Sequence, residues 1–254
     1  MDKKPLVTII TVVYNGEKYL EQTIKSVINQ TYKNIEYIII DGGSTDGTLD
    51  IIKKYEKHIS YWISEPDKGL YDAMNKGIKK SQGELIGMIN SDDWYEKDAV
   101  ETVVKYYLKN PKKKIFHADR YDVFKDGSRK IRKFNPSEFK FKYYGMTYNH
   151  PSMFVTRDEY QRHLYNTELK IVSDYQFVLE SFLRDKNIFY YIPKPIVNYR
   201  LTGLSTRVKF LDGIKEGYIA RRSAGMGSMQ TYFAVMVKTG LFLLFKLKNL
   251  FKEK

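Results

Sequence analysis

The chain has 254 residues, enough for one domain with an appendage and a sizeable core, and its 43% hydrophobic and 15% aromatic content excludes a disordered protein. It contains no cysteine, which excludes disulfides and thiolate metal sites, and four scattered histidines argue against zinc; a catalytic metal would be held by oxygen, as Mg²⁺ or Mn²⁺ is. A formal net charge of +13 implies an anionic partner, whether nucleic acid, a membrane surface or a phosphate-rich substrate.

The amino terminus, MDKKPLVTII, lacks a signal-peptide pattern and runs directly into strand-like sequence. No uncharged apolar stretch approaches the ~20 residues that span a bilayer, so a cytosolic location is expected. Leu6–Val13 is a continuous apolar, β-branched run, as in a strand covered on both faces. Glu17–Gln30 places Leu20, Ile24, Val27 and Ile28 on one helical face. Ile35–Ile40 reads as a second strand, Thr48–Tyr55 as a short helix with Asp46 as its cap, and Tyr61–Ser64 as a third strand. A helix over Leu70–Lys80 aligns Leu70, Met74 and Ile78; strand Leu85–Ile89 follows, then a helix carrying Val100, Val103, Val104 and Leu108. This alternation predicts an α/β fold, a mostly parallel sheet flanked by helices. Beyond Lys114 the pattern loosens. Ile115–Phe124 and Arg129–Phe134 flank Asp126-Gly127 as a β-hairpin, a helix is expected over Asp174–Arg184, and short strands through Ile188–Tyr199.

Ligands of an open parallel sheet sit outside the carboxyl ends of its strands. There the sequence places Tyr14-Asn15, Asp41-Gly-Gly-Ser-Thr-Asp46, Glu65-Pro-Asp67-Lys68-Gly69 and Ser91-Asp92-Asp93. A capping turn would explain one of these loops, not all four. Three chemistries compete. A dehalogenase-type phosphohydrolase is suggested by Asp46-Gly-Thr-Leu, yet its two aspartates must lie two residues apart, and Asp41 and Asp46 do not. A nucleic-acid module suits the charge, but the basic residues are spread out and a carboxylate-lined edge repels phosphate. Sugar transfer from a nucleoside diphosphate uses such an edge directly, because adjacent carboxylates can hold the divalent ion that neutralises a diphosphate leaving group.

The segments VTIITVVYNGEKYLEQTIKSVINQTY, IIIDGGSTDGT, SEPDKGLYDAMNKGI, ELIGMINSDDWY and IVSDYQFVLES occur in the order and approximate spacing of family 2 glycosyltransferases, and over residues 5 to about 205 the chain resembles that family. The resemblance implies a GT-A fold and a metal-dependent, inverting transfer from a nucleotide sugar, with UDP the first choice of nucleotide. It also implies roles for individual residues. Tyr14, with the strand-end backbone at Thr11 and Val12, would pack against the base, and Asp41 would accept a hydrogen bond from it, unless Asp41 simply begins a glycine turn. Asp72 and Asn75, three apart, share a helical face. Met74 stands where relatives often carry arginine, so Lys68 is the substitute contact for the diphosphate. Asp93 would ligate Mn²⁺ or Mg²⁺, and Asp92 chiefly the ribose as well as the ion, with Asn90 replacing an acid frequent in relatives. Asp174 would be the catalytic base, against the alternative of a helix cap, and His150 would border the acceptor, against the alternative of a structural hydrogen bond. Arg200 would grip the diphosphate, with the glycine of Leu201-Thr-Gly-Leu-Ser205 permitting a lid.

The tail, FAVMVKTGLFLLFKLKNLFKEK over Phe233–Lys254, is amphipathic as a helix: Lys238, Lys246, Asn249 and Lys252 lie opposite Met236, Leu243, Leu244, Leu247, Leu250 and Phe251. It can pack on the core or lie in a membrane interface with lysines toward headgroups. The expectation is a catalytic domain over 1–206 and a membrane-associating helical segment over 207–254. The partners expected are a nucleotide-sugar donor, a polyprenyl-diphosphate-linked glycan acceptor and the inner membrane surface, with no nucleic acid.

Overall fold

The computed structural model describes residues 4–201 and 209–250, with side chains through residue 244. Nine strands form one mixed sheet, with β1 (Val7–Val13), β2 (Ile35–Asp41), β3 (Tyr61–Ser64) and β4 (Leu85–Asn90) parallel to one another in the order β3-β2-β1-β4. All seven residues of β1 are buried. Alternate side chains enter separate layers: Val7, Ile9 and Val13 meet Leu20, Ile24 and Val27 of α1 (Leu20–Ile28), while Ile10 and Val12 join Tyr71, Met74 and Ile78 of α3 (Leu70–Lys80). This period of two is why the run is apolar without interruption. The layer holding α1 also receives α2 (Thr48–Lys54) and α4 (Ala99–Lys109).

The second half departs from the parallel pattern. A three-residue strand, β8 (Phe154–Thr156), is wedged antiparallel between β4 and β6 (Ile115–Val123). It needs Gly87, where a Cβ would lie 2.6 Å from the Phe154 ring. β7 (Arg129–Arg132) closes the expected hairpin with β6. The short strands expected over 188–199 are one strand, β9 (Phe189–Arg200), parallel to β6. Its two prolines, Pro193 and Pro195, cannot donate to a ladder, and register shifts at Ala118–Arg120 take up the irregularity. β5 (Trp94–Tyr95) pairs with the far end of β9.

Helix α6 (Ser173–Arg184) lies in the same layer as α3, while α5 (Arg157–Arg162) follows β8. Two C-terminal helices complete the chain, α7 (Phe210–Ser223) and α8 (Ser228–Leu250). They share the core: Ala220, Ala224 and Met226 belong to the cluster of Phe141 and Tyr175. Buried Arg221 donates to the Lys142 and Gly217 carbonyls at 2.8 and 2.9 Å, and its guanidinium lies 5.0 Å from the centre of the Tyr175 ring. Lys238 does not face outward as the helical wheel suggests. Its Nζ donates to the Gly213 carbonyl at 3.1 Å, and burial lowers its pKa. Residues 202–205, expected to form a lid, and residues 251–254 lie outside the described residues.

Candidate active site

The chain leaves β1 for β2 and β3 on one side, then returns to β4 on the other, and the crevice this reversal opens carries a cavity of about 1770 Å³. The loops after β1 and β2 are tied together. Asn15, at φ 49°, accepts Thr45 N–H through its side chain at 2.9 Å and donates its own N–H to Ser44 Oγ at 2.7 Å. This holds Tyr14 at the rim, 64% exposed, with Val12 on the cavity wall beneath it. The Thr11 side chain does not line the cavity. It has the opposite parity, is fully buried and shares a 3.0 Å hydrogen bond with the Tyr37 hydroxyl.

Asp41 is also turned inward. One oxygen accepts Gly43 N–H (3.1 Å), Ser44 N–H (2.9 Å) and the Ser64 hydroxyl (2.6 Å), and the other accepts the Ser44 hydroxyl. Fully buried and so engaged, it organises the glycine turn and is placed neither to accept from a base nor to act as a nucleophile. Asp46 holds the start of α2, accepting Thr48 N–H at 3.1 Å. The carboxylate that does reach this end of the cavity is Asp67, which the sequence places in a strand-end loop at the ligand edge without indicating its role. A Cβ on Gly42 would stand 2.5 Å from Asp67 Oδ2 and 3.5 Å from the Tyr14 ring, so Asp67 fills the space beside Tyr14 that the glycine leaves. Its other oxygen accepts Gly69 N–H at 2.8 Å.

On α3 the presented face lies one residue away from the one expected. Tyr71, Ala73 and Met74 line the cavity, whereas Lys68 and Asp72 flank a separate cleft beside Leu169 and Lys170. Asp72 accepts Lys68 N–H at 3.0 Å and pairs with Lys76 at 3.7 Å. Asn75 is buried and exchanges two hydrogen bonds with the Tyr165 backbone, at 2.8 and 3.0 Å. These three residues are structural or peripheral to the cavity.

The adjacent acids after β4 point opposite ways. Asp93 is 1% exposed; it accepts Arg200 N–H at 2.9 Å, and burial first, then the charge of Asp92, pushes its pKa well up. Asp92 lines the cavity, and its carboxylate has no hydrogen-bonding or ionic partner among the described side chains. Burial raises its pKa too, with Arg200 opposing. Of the two acids expected to meet a metal, Asp92 lines the cavity, whereas Asp93 is buried beneath it. Arg200 is held away from the cavity, its guanidinium 4.2 Å from the Tyr19 ring centre and 4.5 Å from that of Trp94, with a hydrogen bond to Gln22. Among the described residues no group of three His, Asp or Glu could hold a metal ion. The donor set still suits a hard divalent cation: a partly desolvated carboxylate that makes no direct ion pair would supply one oxygen, and diphosphate and water the rest.

Asp174 lines the cavity from the start of α6. Its Oδ1 accepts Tyr175 N–H at 2.8 Å and lies 3.0 Å from the Tyr71 hydroxyl, which is also 2.9 Å from the Ile171 carbonyl. Burial, with the Asp174 charge adding, raises the Tyr71 pKa well above the usual phenol, so Tyr71 is a donor. One oxygen of Asp174 is thus fixed and Oδ2 is left for a ligand. His150 lines the same region, with Nε2 2.9 Å from the Tyr165 hydroxyl; burial lowers its pKa while Asp174 opposes, so the ring is neutral near pH 7.

The fold and this acid-lined crevice define a nucleotide-sugar type of transferase architecture. Residues 8–164 match the family model "Glycosyl transferase family 2", and the chain belongs to that family. It is 32% identical over 218 residues to a chondroitin synthase of Pasteurella multocida, covering 84% of this chain and 22% of that protein, so it spans about a fifth of that relative's length. Among solved structures it resembles Staphylococcus aureus TarS 1-349 in complex with UDP-GlcNAc (TM-score 0.71, 17% identity, 92% of this chain and 71% of that one). It also resembles the Pyrobaculum calidifontis mannosyltransferase PcManGT with GDP-Man and Mn2+ (TM-score 0.67, 14% identity, 93% and 70%).

Proposed function

We propose that this chain transfers a sugar from a nucleoside diphosphate sugar, with UDP preferred, to a lipid-linked glycan acceptor in surface polysaccharide synthesis, with inversion at the anomeric carbon. The observation that carries this is the pair of carboxylates, Asp92 after β4 and Asp174 on α6, that line one cavity together with the exposed Tyr14. The base stacks on Tyr14, and Asp67 Oδ2 accepts an N–H from it, as uracil N3 offers. Asp92 holds Mn²⁺ or Mg²⁺, which would neutralise charge on the departing diphosphate. The Mn2+ and UDP-GlcNAc of the two structural neighbours support this reading.

In the transfer, Asp174 Oδ2 takes the proton of the acceptor hydroxyl while its oxygen bonds to the anomeric carbon from the face opposite the diphosphate. The bond from that carbon to the diphosphate oxygen breaks, and its electron pair leaves with the nucleotide. Tyr71 and the Tyr175 N–H fix the carboxylate for this task. A seat on the inner membrane surface is supported by α8, whose outward stripe exposes Met229, Tyr232, Met236, Leu243 and Leu244. No helix among the described residues is long and apolar enough to cross a membrane.

A thermal-shift screen of UDP, CDP, GDP and UDP-sugars with and without Mn²⁺ tests the reading. UDP with Mn²⁺ should raise the melting temperature more than either alone, since a ligand of the native state stabilises by mass action. A protein indifferent to every nucleotide would contradict it.

A further inference from the structure

The cavity is larger than a donor requires. Ligand pockets commonly span roughly 300–1,000 Å³, and this one reaches about 1770 Å³. Its two halves differ in chemistry. Asp67, Asp92 and Asp174, the carboxylates among its lining residues, all lie in the half beside β1, β4 and α6. The other half is walled by Phe139 and Tyr144, about half-exposed, and by Val237, Leu241 and Phe242 of α8, with Phe242 stacked on Phe210 at 3.8 Å between ring centres. It carries cations and no acid. Arg132 is paired with Asp122 at 2.7 Å, but Lys133 and Lys140 make no ion pair or side-chain hydrogen bond among the described residues. Two unpaired ammonium groups beside an apolar wall suit an amphiphile with an anionic head. The wall is also continuous, through α8, with the exposed stripe of Met236, Leu243 and Leu244.

We propose that this distal half is a lipid-phosphate cradle, in which Lys133 and Lys140 hold the phosphate or diphosphate of a membrane-borne acceptor and Phe139, Tyr144 and the inner face of α8 hold the start of its hydrocarbon chain. The proposal rests on the glycosyltransferase reading, since it is the acceptor's sugar that then reaches Asp174. It assigns α8 two roles: the outward stripe enters the lipid surface, and the inward face guides one lipid from that surface to the site. A phosphate held by two lysines gains from each of them near a membrane surface, where electrostatic contributions per basic residue are substantial.

The test uses the full chain and three vesicle types: phosphatidylcholine alone, phosphatidylcholine with phosphatidylglycerol, and phosphatidylcholine with polyprenyl diphosphate at matched charge. Wild type should bind the polyprenyl diphosphate vesicles at least tenfold more tightly than the phosphatidylglycerol ones. Lys133→Ala/Lys140→Ala should lose that preference by roughly tenfold or more, while Lys133→Arg/Lys140→Arg retains it. Both lysines are exposed, so both double variants should melt near the wild-type temperature. Equal binding of wild type to the two anionic vesicles would overturn the proposal, as would an unchanged preference in the alanine variant. So would displacement from polyprenyl diphosphate vesicles by a soluble uronate oligosaccharide, which would make the cations a glycan-acid site. Nucleotide binding is read separately by thermal shift with UDP and Mn²⁺: its absence in wild type would indict the transferase reading, whereas its presence without vesicle preference indicts the cradle alone.

Discussion

The donor end of the cavity is held by short polar bonds, and the distal end by packed rings. At the donor end, Asn15, Asp41 and Ser44 lock the loops after β1 and β2 before any ligand arrives. The carboxylates that line the cavity there, on Asp67, Asp92 and Asp174, come from three separate segments, and Asp67 and Asp174 are each held through one oxygen only. At the distal end Phe139, Tyr143 and Phe233 meet edge to face or tilted, and no described side chain pairs with the ammonium group of Lys133 or Lys140. A preorganised polar site suits a rigid, charged donor whose reacting bond must be placed closely. A ring-walled groove suits a longer, more variable partner. The loss of a single polar group should therefore be felt most at the donor end and at Asp174.

The largest effect is expected at Asp174. Asp174→Asn keeps the acceptor for Tyr175 N–H but cannot take a proton, and transfer should slow by about 10²–10⁴, or roughly 3–5 kcal/mol of barrier. UDP binding and the melting temperature should stay near wild type, and single-turnover kinetics would separate the chemical step from binding. Near-normal turnover would leave the two ends of the cavity without a reacting centre between them.

A smaller effect sharpens the donor end itself. Asp67→Asn exchanges an acceptor-only group for one that can also donate, so the preference for UDP over CDP should narrow by about tenfold. Gly42→Ala should act in the same direction, because the new Cβ would displace Asp67 Oδ2 from its present place 2.5 Å away. Competition binding of UDP and CDP reads both variants. An unchanged preference would show that Asp67 does not read the base.

Much of the first half was legible because its signals are local. The β-branched runs and helical stripes place β1 to β4 and α3 within a residue or two; Asp46, expected to cap α2, does accept Thr48 N–H, although Gly47 occupies the cap position itself. The direction of individual side chains was harder. Thr11 and Val12 differ only in strand parity, and choosing between them needs the knowledge that α3 and α6 cover the Val12 face. The same ignorance chose Asp72 and Asn75 on α3, when the apolar stripe through Met74 faces the cavity. Resemblance assigns Asp41 and Asp93 to the ligand, yet Asp41 is taken up by the N–H groups of its own glycine turn, the alternative its segment allows, and by the Ser64 hydroxyl, while Asp93 is taken up by Arg200 N–H at the end of β9, a partner its own segment does not reveal. The distal wall was the least legible: residues 133–149 contain no long periodic element, and the cavity face of α8 is defined by what α7 and the Lys140–Tyr144 turn place against it.

In the proposed site two adjacent carboxylates divide their work, Asp92 turned to the ligand and Asp93 to the end of β9. Calorimetric titration of Mn²⁺ and UDP into Asp92→Asn and Asp93→Asn tests it directly, because both variants keep side-chain volume and Asp93→Asn keeps an acceptor for Arg200 N–H. Asp92→Asn should lose the Mn²⁺-dependent part of UDP binding, while Asp93→Asn should bind within a few-fold of wild type. The reverse pattern, with Asp93→Asn losing metal-dependent binding and Asp92→Asn retaining it, would contradict the account.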